Sequence, residues 1–246
     1  PEKSIQTQFD IGSDIIICLD DFTPPDATKT YAKETVERTV NWARKSKKEY
    51  TKQIKKRKLT DKTRPHLYSV VQGGYYKDLR KECAQGLQEL GFDGYGYGGY
   101  VVDDKGNLDL DLSEFISQEL PKDKIKFALG IGRPIDIANL RKMGWDIFDC
   151  TLPTRDARHK RLYTLNKDPT VSKNLSDSSN YSYIYINREK HLHENKPISK
   201  YCDCLVCTKY SRAYLRHLFK INDLSAFRLA SLHNLRIYNI LIENLV

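Results

Sequence analysis

The chain has 246 residues, of which 39% are hydrophobic and 30% are charged, and its formal net charge at pH 7 is +9. No apolar run approaches the roughly 18 residues that a spanning helix needs, which excludes an integral membrane protein. The 16 Tyr, 8 Phe and 2 Trp supply enough aromatic bulk for a core, which argues against a wholly disordered chain.

Apolar runs of strand length alternate with longer helix-like segments as far as Asp149. Strands are predicted at residues 14–19, 67–71, 92–97, 125–129 and 147–149, and helices at about 30–57, 76–90, 113–120 and 134–143. Alternation of buried strands with helices is typical of a parallel sheet with helical crossovers. Two closures are compatible with this pattern, a doubly wound open sheet and a (β/α)8 barrel.

Polar or glycine residues follow the carboxyl end of every predicted strand. They are Asp20-Asp21, Gln72-Gly73-Gly74, Gly98-Gly99, Gly130 with Gly132, and Asp149. A barrel gathers these ends in one ring around one pocket, which favours the barrel. Gly and Asp also begin ordinary turns. That explanation accounts for the glycines, but it accounts less well for a Gln and two Asp at equivalent strand ends.

Beyond Asp149 the sequence changes character. Residues 165–181 are polar and turn-rich, which predicts an exposed loop. A short strand is predicted at 183–186, followed by helices at about 205–219 and 223–245, with Asn222 as the N-cap of the second helix. We therefore expect a partial barrel over residues 1–164, and a loop, a metal-binding subdomain and terminal helices over residues 165–246.

A strongly basic run extends from Arg44 to Lys58. It holds nine basic residues and one acidic residue, which leaves 32 basic and 31 acidic residues in the rest of the chain. Such a run is typical of a solvated helix face. It is equally typical of a polyanion contact, because clustered cations gain free energy by releasing condensed counterions. Composition leaves both interpretations open.

The cysteines indicate a reducing, cytoplasmic compartment and a metal site. Of the six Cys in the chain, Cys202, Cys204 and Cys207 fall within six residues. Scattered single Cys elsewhere in a chain of this length argue against a disulfide framework. Clustered thiolates select Zn²⁺, whose structural sites take four ligands in a tetrahedron.

The fourth ligand must come from outside the Cys cluster. The candidates are His191, His193, His217 and His233. The first two precede the cluster in a charged, loop-like stretch, and His217 lies between two Leu on the first C-terminal helix. His233 is favoured, because the second helix can fold back antiparallel over the first.

Several segments together resemble one known family over nearly the whole chain. They are GSDIIICLDDFTPPDA, VVQGGYYKDLR, LGFDGYGYGGY, ALGIGRP, WDIFDCTLPTRDAR and CDCLVCTKYSRAYLRHLF. The chain resembles the tRNA-guanine transglycosylases, or queuine tRNA-ribosyltransferases, which exchange the wobble guanine of certain tRNAs for a 7-deazaguanine. The FDC-x-x-PTR and CxCxxC elements are very specific when they occur together.

The resemblance implies a (β/α)8 barrel with a zinc-binding subdomain near the C-terminus. It implies that Asp149 is the catalytic carboxylate and that Arg155 and Arg158 contact the anticodon loop of tRNA. It further implies a base site at Asp20, Gln72, Gly99 and Tyr100, and zinc ligands at Cys202, Cys204, Cys207 and His233. The family's second catalytic Asp would precede Pro1, in a segment that this sequence does not contain.

The chemistry of these residue types agrees with the resemblance. A carboxylate such as that of Asp149 can form a glycosyl ester at C1′ of ribose and be displaced in a second step. Guanine presents N1–H and a 2-amino group on one edge, which matches the two acceptor oxygens of Asp20. Gln72 and the backbone N–H of Gly99 can donate to O6 on the other side, and a glycine lets the backbone approach closely.

Departures from the family's pattern keep other functions open. Phe22 stands where bacterial relatives tend to carry Cys, and Asp104 stands near where a Glu is usual. The alternatives are a non-catalytic tRNA-binding subunit or fragment, and an enzyme that inserts deazaguanine into DNA. We expect tRNA and a guanine or 7-deazaguanine base as partners. We also expect a homodimer or a partner chain that supplies the remaining barrel elements, since the strand at 14–19 would otherwise expose an unpaired edge.

Overall fold

A computed structural model of the chain describes residues 1–99, 102, 106–171 and 177–245. The chain divides into two compact units, Pro1–Leu129 with Leu140–Phe148, and Gly130–Asn139 with Asp149–Val246. The division at residue 164 stays a prediction. Within the described residues, no helix combines the length and the apolar character that crossing a bilayer requires.

The first unit is built on a five-stranded parallel sheet. Its strands are β1 (Ile15–Ile17), β2 (His66–Val71), β3 (Gly94–Tyr97), β4 (Ile125–Ala128) and β5 (Ile147–Phe148). Every neighbouring pair is parallel, and the spatial order of the strands is their order in the chain. The predicted parallel α/β sheet is confirmed, and this consecutive order is that of about half of an eight-stranded barrel.

Helices connect these strands as the hydrophobic pattern predicts. They are α2 (Lys29–Arg57), α3 (Lys77–Leu90), α4 (Leu110–Glu119) and α5 (Pro134–Lys142), and a helix that was not predicted, α1 (Glu2–Ile11), precedes β1. The α2 helix begins where the Thr28 side chain accepts a hydrogen bond from the backbone N–H of Tyr31. It ends at Lys58, whose φ of 54° is left-handed.

The outer edge of β1 is not open in the way that the sequence predicts. The α1 residue Gln8 lies against this edge and pairs with Ile17 through both atoms of its side-chain amide. Its Oε1 accepts from the backbone N–H of Ile17 at 2.9 Å, and its Nε2 donates to the backbone oxygen of Ile17 at 3.0 Å. A side chain thus replaces a neighbouring strand at one residue, because an amide offers the same donor and acceptor as a peptide group.

Among its described residues, the second unit combines a β-hairpin with the α-helices that follow Asp149. Its elements are α6 (Leu152–Arg158), β6 (Arg161–Leu165), β7 (Tyr181–Tyr185), α7 (Leu205–Lys209), α8 (Arg212–Lys220) and α9 (Ser225–Glu243). The β6 and β7 strands are antiparallel. The long α9 helix packs against α6, β6, α7 and α8. The predicted loop at 165–181 connects the two strands, and residues 172–176 of it lie outside the described part.

Two predictions near the C-terminus are wrong. The helix predicted at 205–219 is broken at Tyr210, because the Ser211 side chain accepts from the backbone N–H of Tyr214 and begins a separate helix. Asn222 is not an N-cap, since it adopts a left-handed φ of 56°. The neighbouring Asp223 accepts from the backbone N–H of Ser225 at 2.8 Å, where α9 begins.

Candidate active site and metal centre

The first unit brings Asp20 and Gln72 together at the carboxyl edge of its sheet. Gln72 directly follows β2 and is fully buried, and Asp20 follows β1 by three residues. The Gln72 side chain donates a hydrogen bond from Nε2 to Oδ2 of Asp20. Its Oε1 accepts from the backbone N–H of Thr23 at 3.2 Å. The amide orientation is thus held from both sides, and the second Nε2 hydrogen remains available to a ligand.

Glycines at the end of β3 let the backbone lie against Gln72. A Cβ atom on Gly98 would stand 2.4 Å from Nε2 of Gln72, so no side chain fits there without moving that amide. Gly99 has a left-handed φ of 86°, which glycine adopts without steric cost. The structure places Gly99 beside Gln72, since a Cβ atom on Gly99 would stand 3.4 Å from Oε1 of Gln72. Tyr100, the fourth predicted base-site residue, lies outside the described residues.

Burial shifts the pKa of the Asp20 carboxyl. It raises the pKa of the Asp20 carboxyl above its ordinary value, while the hydrogen bond from Gln72 acts in the opposite direction. The neighbouring Asp21 turns away to form an ion pair with Arg38 of α2. Asp20 is therefore the carboxylate that remains for a ligand at this edge of the sheet.

Arg80 of α3 lies beneath this site, and sequence reasoning did not identify it. The side chain is 0% exposed and donates to three backbone oxygens of the surrounding loops. Its Nε bonds to Gly74 at 2.8 Å, and its Nη1 bonds to Val71 at 2.6 Å and to Gly98 at 2.7 Å. Its buried Nη2 has no partner among the described residues. The signal in the sequence was an Arg next to the apolar stripe of an amphipathic helix.

Asp149 belongs to the second unit and follows β5 directly. Its side chain is exposed, and its Oδ1 accepts from the backbone N–H of Gly130 at 2.8 Å. Its Oδ2 has no hydrogen-bond partner among the described residues. One oxygen is therefore held in place while the other can act on a substrate.

The loop that holds Asp149 is itself fixed by α9. The Tyr238 hydroxyl donates to the backbone oxygen of Gly132 at 2.7 Å and lies 3.1 Å from the hydroxyl of Tyr163. Tyr163 in turn donates to the buried carboxylate of Asp156 at 2.6 Å. This network of buried polar groups holds the backbone oxygen of Gly132 in place.

The two predicted tRNA-contacting arginines share one face of α6. Arg155 and Arg158 are both exposed and stand three residues apart, which places them on adjacent positions of the helix surface. Neither guanidinium has a side-chain hydrogen bond or an ion pair with a described residue. Both remain available to an anionic ligand.

The four predicted metal ligands form one cluster in the second unit. Ligand atoms of Cys202, Cys204, Cys207 and His233 all lie within 4.8 Å of one another. His233 Nδ1 stands 3.8, 3.5 and 3.3 Å from the three sulfur atoms, in chain order. With bonds of about 2.3 Å to sulfur and about 2.0–2.1 Å to nitrogen, a tetrahedral ion would set these separations near 3.5 Å. The cluster could therefore hold a metal ion.

A hydrogen bond to the backbone orients the His233 ring for metal binding. His233 Nε2 lies 2.8 Å from the backbone oxygen of Tyr163. Donation to that oxygen fixes the tautomer and turns the lone pair of Nδ1 towards the three sulfur atoms. The Nδ1 atom of His191, another candidate ligand, instead lies 2.6 Å from Oε2 of Glu194.

Comparison with known proteins identifies the family. The family model described as "Queuine tRNA-ribosyltransferase" matches residues 1–245. The chain belongs to this family. Proteins named "Queuine tRNA-ribosyltransferase" from Shewanella sp. (strain W3-18-1) and Thermoanaerobacter sp. (strain X514) are 36% and 39% identical to it, over 245 and 235 residues. These matches cover 100% and 96% of this chain, and 59% and 56% of the two relatives.

The chain spans about three-fifths of the length of the curated relatives that it matches. The resemblance predicted from the motifs is confirmed.

Proposed function

We propose that the protein exchanges the wobble guanine of tRNA for a 7-deazaguanine base. The observation that carries this proposal is the paired Asp20 and Gln72 beside Gly99, in a chain of the queuine tRNA-ribosyltransferase family. Two acceptor oxygens next to an oriented amide donor are complementary to the Watson–Crick edge of a guanine-like base.

Base recognition would use groups that are already oriented. Asp20 would accept from N1–H and the 2-amino group, and the free hydrogen of Gln72 Nε2 would be donated to O6. The backbone at Gly99 and Tyr100 would line the region near the 7-substituent. Because Gln72 is held by Asp20 and Thr23, little side-chain freedom would be lost on binding.

Asp149 would act as the nucleophile. Its Oδ2 would form an ester bond to C1′ of the ribose while the C1′–N9 bond breaks. The electron pair would leave with guanine, which takes up a proton from the solvent. In the second step N9 of the incoming base would lose its proton to the solvent, attack C1′ and release the Asp149 carboxylate. The backbone N–H of Gly130 would hold Oδ1 during both steps.

We assign Zn²⁺ to the cluster of Cys202, Cys204, Cys207 and His233. Three soft thiolates and one imidazole at tetrahedral separations favour this ion. Four protein ligands leave no open coordination position, so bound zinc would be structural and would take no part in base exchange. It would tie the loop before α7 to α9.

Arg155 and Arg158 would contact the anticodon loop, since a guanidinium is planar and permanently charged. A homodimer, or a partner chain that completes the barrel, and a cytoplasmic location remain predictions. The test is incorporation of labelled guanine into tRNA by the full-length, metal-loaded protein. Incorporation into a DNA duplex but not into tRNA, or incorporation that persists in Asp149→Asn, would contradict the proposal.

A further inference from the structure

The basic run Arg44–Lys58 covers the second half of α2 and its C-cap residue Lys58, and it has no role in the proposed chemistry. Three of its nine cations are engaged. Lys47 donates to the backbone oxygen of Gly91, Lys52 stands 3.7 Å from Glu49, and Arg57 pairs with Asp10. The other six are exposed and form no side-chain hydrogen bond or ion pair with a described residue, namely Arg44, Lys45, Lys48, Lys55, Lys56 and Lys58.

The far end of this run lies away from the base site. The Thr39 side chain accepts from the backbone N–H of Asp21 at 2.9 Å, so this part of α2 is level with the carboxyl edge of the sheet. Tyr50 reaches the opposite edge, where its hydroxyl donates to the backbone oxygen of Pro65, just before β2. At 1.5 Å per residue, Lys55 and Lys58 lie about 24–28 Å beyond Thr39 along the helix axis.

Further cations extend the same surface at the amino edge of the sheet. A groove next to the end of α2 is lined by Arg57, Lys62, Arg64 and His66, among others. Arg64 is committed to Asp93 by two hydrogen bonds. Lys62 is exposed and has no ion pair with a described residue. Lys62 therefore adds one cation without a described ion pair to those of the helix, in a groove that Asp14 also lines.

The pattern of charges fits a phosphate chain. Lys45, Lys48, Lys52 and Lys55 follow one another at intervals of three or four residues, which places them in one stripe about 5–6 Å apart. An amphipathic helix that binds membranes presents large apolar side chains beside its cations. No large apolar side chain of the run is exposed. Repeated cations without an apolar face favour a polyanion over a lipid surface.

We propose that this surface, Lys55, Lys56 and Lys58 with Lys62, binds the phosphate backbone of tRNA outside the anticodon stem-loop. The inference rests on the proposed function, which places the wobble base at the opposite edge of the sheet. The carboxyl edge of the sheet would bind the base. The amino edge would add affinity for the remainder of the tRNA that does not depend on sequence, because phosphate contacts carry no sequence information.

The test compares two RNAs and two variants of the full-length, metal-loaded protein. The first variant changes three lysines of the proposed surface to Gln, namely Lys55, Lys56 and Lys58. The control variant changes three other exposed lysines to Gln, namely Lys122, Lys190 and Lys209. Binding of full-length tRNA and of the isolated anticodon stem-loop is measured against salt. On full-length tRNA, the first variant should flatten the log–log salt slope by about two units and lower the affinity about 100-fold at about 0.1 M salt.

The control variant should bind full-length tRNA like the parent protein, and both variants should bind the stem-loop like the parent. An unchanged salt slope in the first variant would overturn the inference, as would an equal loss on the stem-loop. So would variant-sensitive binding to anionic lipid vesicles with an unchanged tRNA slope. Guanine incorporation into the stem-loop by the parent tests the proposed function separately, since it does not depend on the distant surface.

Discussion

At the scale of single residues, Arg80 connects the two loops that carry Gln72 and Gly98, which belong to the proposed base site. Its guanidinium donates to backbone oxygens on both sides of Gln72 and at Gly98. A Cβ atom on Gly99 would stand 2.9 Å from its Nη2, which shows how closely the two approach. The planar fork of Arg serves several acceptors at once, and Lys cannot reproduce it.

We expect Arg80→Lys to lower the free energy of unfolding by about 1–3 kcal/mol, since buried backbone oxygens would lose their donors. The KM for the free base should rise while the affinity for tRNA stays constant, because the change distorts only the base site. Arg141→Lys, at an exposed pair with Asp146, is the control and should cost under about 1 kcal/mol. A rise in base KM no larger than in the control would contradict this positioning role.

The raised pKa of Asp20 predicts a pH dependence of base recognition. Only the ionised carboxyl can accept from both N1–H and the 2-amino group, and burial raises its pKa above the ordinary value of 3.8. Base affinity should therefore be complete well above the raised pKa and should fall as the pH drops through it. Inhibition by free guanine, measured from about pH 7.5 to about pH 4.5, should weaken earlier than titration of an ordinary Asp predicts.

We expect a substitution of the same residue to separate base recognition from tRNA binding. Asp20→Ala should weaken inhibition by guanine and leave tRNA affinity nearly unchanged, because phosphate contacts dominate that affinity. A parallel loss of tRNA binding would assign Asp20 a structural role instead.

For Asp149, we expect a covalent RNA adduct that survives denaturing electrophoresis. Asp149→Asn should abolish it, since an amide is a poor nucleophile. Asp146→Asn is the control, because it removes a negative charge three residues before Asp149, and this variant should still form the adduct. An adduct of equal abundance in Asp149→Asn would move the nucleophile to another residue.

At the scale of elements, α9 carries the residues of two proposed roles, five positions apart. His233 belongs to the metal cluster, and Tyr238 holds Gly132 in the loop whose Gly130 contacts Asp149. Tyr238→Phe should slow adduct formation in a single turnover without changing tRNA affinity, because the loop loses its hydrogen bond. Tyr214→Phe, on the exposed face of α8, should leave the rate unchanged. Equal rates in the two variants would show that the hydroxyl does not position the loop.

The elements also show what a sequence can and cannot predict. The five parallel strands and the helices between them follow from apolar runs and helical periodicity, which report burial directly. The break before Ser211 and the left-handed Asn222 depend on single hydrogen bonds and dihedral angles, which periodicity does not carry. The approach of Gln72 to Asp20 could be predicted from their positions at strand ends. The three hydrogen bonds from the Arg80 guanidinium to backbone oxygens could not, because they depend on three-dimensional packing.

At the scale of the whole molecule, the metal cluster belongs to one of the two compact units. Removal of the ion should therefore destabilise the second unit selectively, since Cys202, Cys204, Cys207 and His233 all lie in it. After treatment with a chelator, amide hydrogen exchange should quicken in α7, α8 and α9 and remain slow in β2 and β3. Unchanged exchange in α9, or equal acceleration in the sheet, would contradict this assignment.

The pairing of Gln8 with Ile17 has a consequence for how the protein is made. The two residues are nine positions apart, so their contact is available almost as soon as they leave the ribosome. The partner strand on the other side of β1 ends at Val71, and at about 5–20 residues per second its synthesis takes roughly 3–11 s more. During those seconds a nascent chain is most exposed to pairing with its neighbours on a polysome. Because Gln8 already occupies the backbone N–H and oxygen of Ile17, a strand of another chain cannot form those two hydrogen bonds before β2 is synthesised.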